Sequence, residues 1–363
     1  MSYQQTHDAL VIVAARAPYE VRRFPTISPK GDEIMVNVKW TASTPLDLHQ
    51  ADGGLLVELP MRTGHTGAGV VVEVGPDVKH FKIGDKVFGF AHQKPEWKTH
   101  QEYATAPEWV FGKIPDGFSY EEVVTLPENL VTAFNTISTD LKLPTPWPKP
   151  ADYQPPRAND RILIWGAASS VGQLTIQVLK YYGYNHIVAT ASSKHHEYLK
   201  HLGASEVYDY RSPTVTEDLL SYAQEGSTPA YPLIVDCIGS QTGSLKPISK
   251  VAQSGSTVAV MLPVIVEHAS KDTAPQYSMD AGTSVAWGAG VTVSGVRTFF
   301  YWRMFREKLQ TEIIPTLLAQ GVVKPNRYRV IEGKTLLERA TKALDELREG
   351  VSREKLVWRV SNE

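Results

Sequence analysis

The chain has 363 residues, 42% hydrophobic and 21% charged, the balance of a globular protein long enough for two domains. Its 37 basic and 39 acidic residues leave a formal charge of -2, so no basic excess points to nucleic acid. A single cysteine, Cys237, excludes an intramolecular disulfide framework and any zinc site built from several cysteines.

The first residues, "MSYQQTHDALVIVAARAP", hold an apolar run of strand length with no basic start before it. They read as neither a secretory signal nor a membrane span, and the cytoplasm is the expected location. Residues 9 to 128 read as β-rich: "ALVIVAA", "EIMVNVKWTAS", "GAGVVVEVG" and "DKVFGF" are β-branched runs parted by Gly, Pro and Asp turns. Between the first two pairs of runs, "TPLDLHQ" reads as a loop. The stretch 142–160, "KLPTPWPKPADYQPPRAND", has six prolines and reads as an extended loop or a linker.

From 161 to 296 the rhythm changes. "RILIWG", "NHIVATAS", "SEVYDY", "PLIVDCIG", "STVAVML" and "VTVSGV" are buried-type strands, with helical patterns such as "VGQLTIQVLKYYG" and "HHEYLKHLG" between them. That alternation predicts an α/β unit with a parallel, doubly wound sheet and right-handed crossovers. The tail, "LLERATKALDELREGVSREKLVWRV", predicts an amphipathic helix, a Gly stop and a strand.

"RILIWGAASSVGQLTIQVLK" is a strand, a small-residue turn and a helix. Gly166, Ala168, Ser169, Ser170 and Val171 form a turn that lets backbone approach a pyrophosphate at a helix N-terminus. NAD enzymes place an acid at the end of the next strand to accept from the ribose 2′-hydroxyl. Here that position reads Ser192, Ser193, Lys194, with no acid before Glu197. Hydroxyls and a cation suit a 2′-phosphate, so the expected cofactor is NADP(H). Tyr210, at the end of the third strand, is expected to add a phenol donor. Leu262, closing "STVAVML", is taken as a further cofactor residue.

These residues, with "GHTGAGVVVEVG", "KIGDKVFGF", "LPENLVTAF" and "LGASEVYDYR", resemble the medium-chain dehydrogenase/reductase superfamily over nearly the whole chain. The chain is most similar to the zinc-free quinone and enoyl reductase branch. The Pro-rich stretch and the ending "REKLVWRV" resemble the fungal trans-acting enoyl reductases that partner polyketide synthases. The resemblance implies a GroES-like catalytic domain from residues 1–128 and 320–363, a Rossmann NADP-binding domain from 129–319, and an active site in the cleft. It also implies that Thr132 approaches the nicotinamide ribose or phosphate, and that Lys355 lies near the pyrophosphate. Relatives that dimerise pair the last Rossmann strand, here "GVTVSGV", so a monomer or a homodimer is expected.

In the zinc branch a cysteine begins the segment here written "TPLDLH"; Thr44 stands in its place. His65 keeps the second ligand position and Glu128 the third. A neutral hydroxyl is a poor substitute for thiolate, and "FAHQKPEWKTHQEYA" cannot supply a Cys-rich structural-zinc lobe. The expected reading is no metal, with His65 and Glu128 hydrogen-bonded to each other or to the backbone. The alternative is a site rebuilt from His49, His65 and Glu128. His49 aligns with the proton-relay histidine of the alcohol dehydrogenases, but Leu46 replaces the hydroxyl that would join substrate to relay. Asp47 matches a position that supports the loop.

Without a Lewis acid, reduction of an activated C=C is easier than reduction of a carbonyl, because negative charge spreads over an enolate. Thr44 and His49 are the polar side chains expected nearest that chemistry. The sequence therefore points to an NADPH-dependent enoyl, 2-alkenal or enone reductase of a small molecule or of a carrier-bound acyl chain on a polyketide synthase. Quinone reduction and a non-catalytic NADPH-binding role are the alternatives.

Overall fold

The strand Glu33–Ser43, "EIMVNVKWTAS", is buried along most of its length because it has neighbours on both sides. It pairs antiparallel with Thr66–Val74, with Lys355–Arg359 and with Tyr103–Pro107. The computed structural model describes residues 5–223 and 228–361, and the chain divides into two units. This strand centres the first of them, made of Met1–Val131, Ala269–Pro275 and Trp302–Glu363. Its seven-stranded sheet runs in the order Tyr328–Val330, Lys355–Arg359, Glu33–Ser43, Thr66–Val74, Lys86–Phe90, Phe111–Lys113, with Tyr103–Pro107 off that path. A three-stranded sheet of Glu20–Pro25, Thr6–Ile12 and Met61–Arg62 accompanies it. The tail forms the predicted elements: helix Leu336–Glu349, Gly350, then strand Lys355–Arg359.

"TPLDLHQ" is not a loop. It opens the helix Pro45–Gly53. Thr44 is the N-cap, Pro45 supplies a pre-set φ in the first turn, and the Asp47 carboxylate Oδ2 accepts from the Thr44 N–H at 2.8 Å. The reciprocal cap is written in the sequence as T-P-L-D, with Asp at the position where Glu or Gln is usual. The helix is too short and too polar for an apolar period to announce it.

The second unit comprises Thr132–His268 and Gln276–Tyr301. All six predicted strands form one parallel sheet in the order Glu206–Tyr208, Ile187–Thr190, Ile162–Trp165, Leu233–Asp236, Thr257–Met261, Thr292–Val296. The chain starts at a central strand, winds outward, returns and winds the other way, the doubly wound topology. Its core includes Leu163, Trp165, Val188, Ile234, Val258 and Val260. The Pro-rich stretch 142–160 has no helix or strand, but it is not a linker: it lies wholly inside this unit. It packs on the end of the helix Ser170–Tyr182 and the residues just after it: the Tyr182 hydroxyl donates to Pro146 O, the Tyr184 hydroxyl to Pro156 O, and Lys149 Nζ to Tyr181 O at 2.6 Å.

Candidate active site

Two sites take shape, one in each unit. In the second unit, the strand Ile162–Trp165 ends in the turn Gly166–Ser169, and the 13-residue helix Ser170–Tyr182 follows. Gly166 has φ +75°, and a Cβ there would lie 2.4 Å from the Ile238 side chain, so only glycine fits. Gly166 N donates to Thr190 Oγ1 at 3.1 Å, and Ala167 N to Thr190 O at 2.9 Å, tying the turn to the neighbouring strand. Ser169 caps the helix, its hydroxyl accepting from Gly172 N at 3.1 Å. Ala168 and Ser170 are half-buried and Val171 is buried, leaving the first-turn N–H groups at an anion-attracting helix end.

Ser192 is half-buried, and Ser193 and Lys194 are exposed in a short 3-10 turn after the strand Ile187–Thr190. Tyr210 lies two residues beyond the strand Glu206–Tyr208 and is 44% exposed. The fold adds two residues that strand-end reasoning missed. Asp209 Oδ2 accepts from Ser193 N at 3.1 Å, and Arg211 grips the same carboxylate at 3.0 and 2.7 Å. The Arg211 guanidinium holds the Asp209 carboxyl well below the usual range. So an acid does stand beside the Ser192–Lys194 turn, contributed by the next strand and already paired with a cation. The signal was present in "VYDYR". Thr132, on the helix Pro127–Asn135, accepts from the Thr298 hydroxyl at 3.0 Å, and Leu262 is half-buried just past Thr257–Met261.

In the first unit, Thr44, Asp47, His65, Lys98, Glu128 and Lys355 gather as a polar centre. Thr44, Asp47, His65, Lys98 and Lys355 are all buried, and Glu128 Oε2 is shielded from solvent. The Thr44 hydroxyl lies against the carboxyl groups of Asp47 and Glu128. Burial pushes Asp47 up to about 6 and Glu128 up to about 7, against the pull of Lys355 and Lys98. Burial also pushes Lys98 down to about 8 and lowers Lys355. His65 is held well below its ordinary value by burial and then by the charge of Lys98, and His100 is pushed down to about 3 by the same causes. His49 is half-buried on the Pro45–Gly53 helix. The charges of Glu128 and Asp47 act on Lys355 against the effect of burial.

The donors do not fit a zinc ion. The thiolate position holds the neutral hydroxyl of Thr44, a poor zinc ligand, and the charge of Lys98 bears on both His65 and Glu128. Among the described residues, no three His, Cys, Asp or Glu side chains converge as a metal site.

The two raised carboxyl groups give stability a definite pH slope. Between about pH 4.5 and 7 the folded state keeps a proton on Glu128 that the unfolded chain has released. Stability therefore falls as pH rises through that window and levels off above it. Lys98 acts oppositely: above about pH 8 the folded state has lost a proton that the unfolded chain holds, and stability rises towards pH 10.5. Glu128→Gln is expected to remove about half of the combined slope, its own share being of order 3 kcal/mol across the window, with Asp47 supplying the rest. Urea unfolding midpoints at a series of pH values check this; an unchanged slope would place Glu128 in a more solvated setting.

A GroES-like β unit and a doubly wound sheet with a glycine turn at its centre, carried on one chain, define an oxidoreductase of the medium-chain dehydrogenase/reductase class. Residues 30–136 match the alcohol dehydrogenase GroES-like domain, and residues 170–308 match the zinc-binding dehydrogenase domain. Trans-enoyl reductase himH of Aspergillus japonicus is 32% identical over 340 residues, covering 91% of this chain and 90% of that protein. The lovastatin nonaketide synthase enoyl reductase component lovC of Aspergillus terreus is 28% identical over 348 residues, covering 91% and 89%. The crystal structure of CurK enoyl reductase shares the fold with a TM-score of 0.74 at 17% identity, over 98% of this chain and 99% of that one. The chain belongs to the medium-chain dehydrogenase/reductase family, whose members bind NAD(P), and fungal trans-enoyl reductases are among its relatives. Among the described residues, no helix is long and apolar enough to cross a membrane.

Proposed function

We propose that the chain is an NADPH-dependent reductase of an activated C=C, an enoyl, 2-alkenal or enone, working without zinc. The observation that carries the reading is the buried polar centre: a neutral hydroxyl, Thr44, stands where the zinc branch has a thiolate, and two buried lysines, Lys98 and Lys355, act on Asp47 and Glu128, which leaves hydrogen bonds and cationic charge to stabilise the developing anion. Bound NADPH supplies hydride to the β-carbon of the alkene. Thr44 and the cationic side chains of the centre stabilise the enolate oxygen, and His49 gives or relays the proton that ends at the α-carbon. The relatives named as trans-enoyl reductases favour an acyl thioester, and lovC, named as a component of a synthase, favours a carrier-bound chain on a polyketide synthase.

NADPH with a panel of enals, acyl thioesters and quinones tests the reaction, followed at the NADPH absorbance band. Turnover of quinones alone would favour the alternative that quinone oxidoreductases of this fold suggest, such as that from Coxiella burnetii with TM-score 0.70. Tight NADPH binding with no turnover of any class would favour a non-catalytic role. Near-stoichiometric zinc in protein purified without added metal, lost on His65→Ala, would overturn the zinc-free reading.

Cofactor choice rests on Ser192, Ser193, Lys194 and Tyr210, with Arg211 as a second cation beside them. A charge-assisted bond is worth about 1.5–3 kcal/mol. Lys194→Ala is therefore expected to weaken NADPH roughly ten- to a hundredfold and leave NADH nearly unchanged. Dissociation constants for both cofactors check this; equal affinity in the parent chain would refute it.

A further inference from the structure

The first unit holds a cavity of about 490 Å³ that shares no residue with the polar centre. That is the size of a pocket for a small molecule. One wall is built where four chain segments run side by side: Glu102 N donates to Asp8 O at 3.2 Å, Val38 N to Glu102 O at 2.9 Å, and Val360 N to Lys39 O at 2.9 Å. Asp8, Asn37, Glu102 and Val360 line the cavity from these segments. Arg339, 4% exposed, fixes the last of them, donating to Arg359 O at 2.7 Å and to Val360 O at 3.4 Å. A second wall is the start of the 14-residue helix Leu336–Glu349, where Thr335, Leu336 and Leu337 line the space. Thr335 is the cap, its hydroxyl accepting from Glu338 N at 3.1 Å, so the N–H groups of Leu336 and Leu337 have no acceptor within the helix.

We propose that this cavity binds a free α-amino acid with an apolar side chain. Its lining carries both signs of charge. Asp8 and Glu102 supply carboxylates, and among the described residues no lysine, arginine or histidine lines the space. Arg23 lies 3.7 Å from Asp8, but both side chains are exposed and such a pair is weak. Glu102 Oε2 accepts from Asp8 N at 3.1 Å, which holds that carboxylate in place. The helix start supplies the opposite sign, through its N–H groups and the positive end of the helix dipole. An independent observation points to a ligand. Ser361 lines the same cavity and is 6% exposed, and its hydroxyl has no hydrogen-bond partner among the described residues. A buried hydroxyl left unpaired is costly, and a ligand group that bonds it removes that cost. A lone anion would meet the two carboxylates, and a lone cation would meet the helix end. A molecule with an ammonium and a carboxylate side by side suits both. The ammonium goes to Asp8 and Glu102, the carboxylate to the Leu336 and Leu337 N–H groups and the Ser361 hydroxyl. The apolar side chain goes to Val21, Leu337 and Val360, which complete the lining.

Titration calorimetry of the full chain with L-leucine tests this, and binding is expected at millimolar concentration. L-Leucinamide lacks the carboxylate and 4-methylpentanoate lacks the ammonium. Each should bind about ten- to a hundredfold more weakly, the worth of one charge-assisted bond. Glu102→Gln should weaken L-leucine by a similar factor, while its amide oxygen still accepts from Asp8 N and keeps the wall intact. Leu337 is 36% exposed, so Leu337→Trp can fill the cavity from its rim and should abolish binding. Thermal unfolding midpoints without leucine show that both variants fold. Leucine binding that ignores both variants would place the amino acid elsewhere and overturn the proposal. So would either analogue binding as tightly as leucine, or no heat with L-leucine, L-valine or L-phenylalanine. The site shares no residue with the polar centre, so either result leaves the reductase reading untouched.

Discussion

Replacing His49 with Gln is expected to cut turnover by about 10²–10⁴-fold while leaving NADPH affinity nearly normal, the range a positioned general acid contributes. Gln keeps hydrogen-bonding capacity but has no proton to give at neutral pH. Histidine is the side chain whose ordinary pKa, near 6.5, suits transfer there. The Pro45–Gly53 helix fixes the position: Thr44 and Asp47 cap its start, and the His49 carbonyl accepts from Leu55 N at 3.1 Å as the chain leaves it. A histidine presented on a capped helix is held more narrowly than one on a loop, which is what a proton relay requires. Steady-state kinetics together with cofactor titration decide the matter. A histidine that only touches the cofactor ribose would instead weaken NADPH by about 0.5–1.5 kcal/mol and leave saturated turnover intact. A variant with unchanged turnover, affinity and pH profile would remove His49 from the chemistry.

How much of this was legible in the sequence differs from element to element. The Rossmann strands were readable because each is a short, continuous apolar run bounded by turn residues, and burial on both faces needs nothing more. The glycine turn was readable because close backbone approach demands small residues. The helix Pro45–Gly53 was not, because its stability comes from capping and from packing on the Leu336–Glu349 helix, not from an apolar stripe of its own. Asp209 was missed because the residue beside Ser193 comes from the next strand, and parallel pairing, not sequence distance, brings them together. Lys98 was missed for the same reason. In "EWKTHQEYA" it looks like a solvated lysine, and only the run of residues 98–101 beside 63–66 puts it in the interior.

The largest expected loss of stability follows from Arg348. Asp52 ends the helix that carries Thr44, Asp47 and His49, and its side chain is 0% exposed. Arg348, on the Leu336–Glu349 helix, meets it with two bonds, Nε to Oδ2 at 2.9 Å and Nη2 to Oδ1 at 2.6 Å, and is itself 19% exposed. Arg348 also donates to Asp345 at 2.7 Å, which fixes the guanidinium plane. The two oxygens of Asp52 are thus satisfied by a side chain nearly 300 positions away, in a fork geometry that lysine cannot reproduce. Arg348→Met keeps most of the side-chain volume but leaves a buried carboxylate with no counter-ion. That costs about 3–5 kcal/mol, whereas breaking the exposed pair Arg329–Glu346 costs about 0–1 kcal/mol. Denaturant midpoints of the two variants should separate accordingly. Replacing both partners, Asp52→Leu with Arg348→Met, should recover much of the loss, because an apolar pair carries no stranded charge. If Arg348→Met proves as mild as the Arg329 variant, Asp52 must draw its solvation from water rather than from the guanidinium. The end of the helix that presents His49 would then be looser than this packing implies.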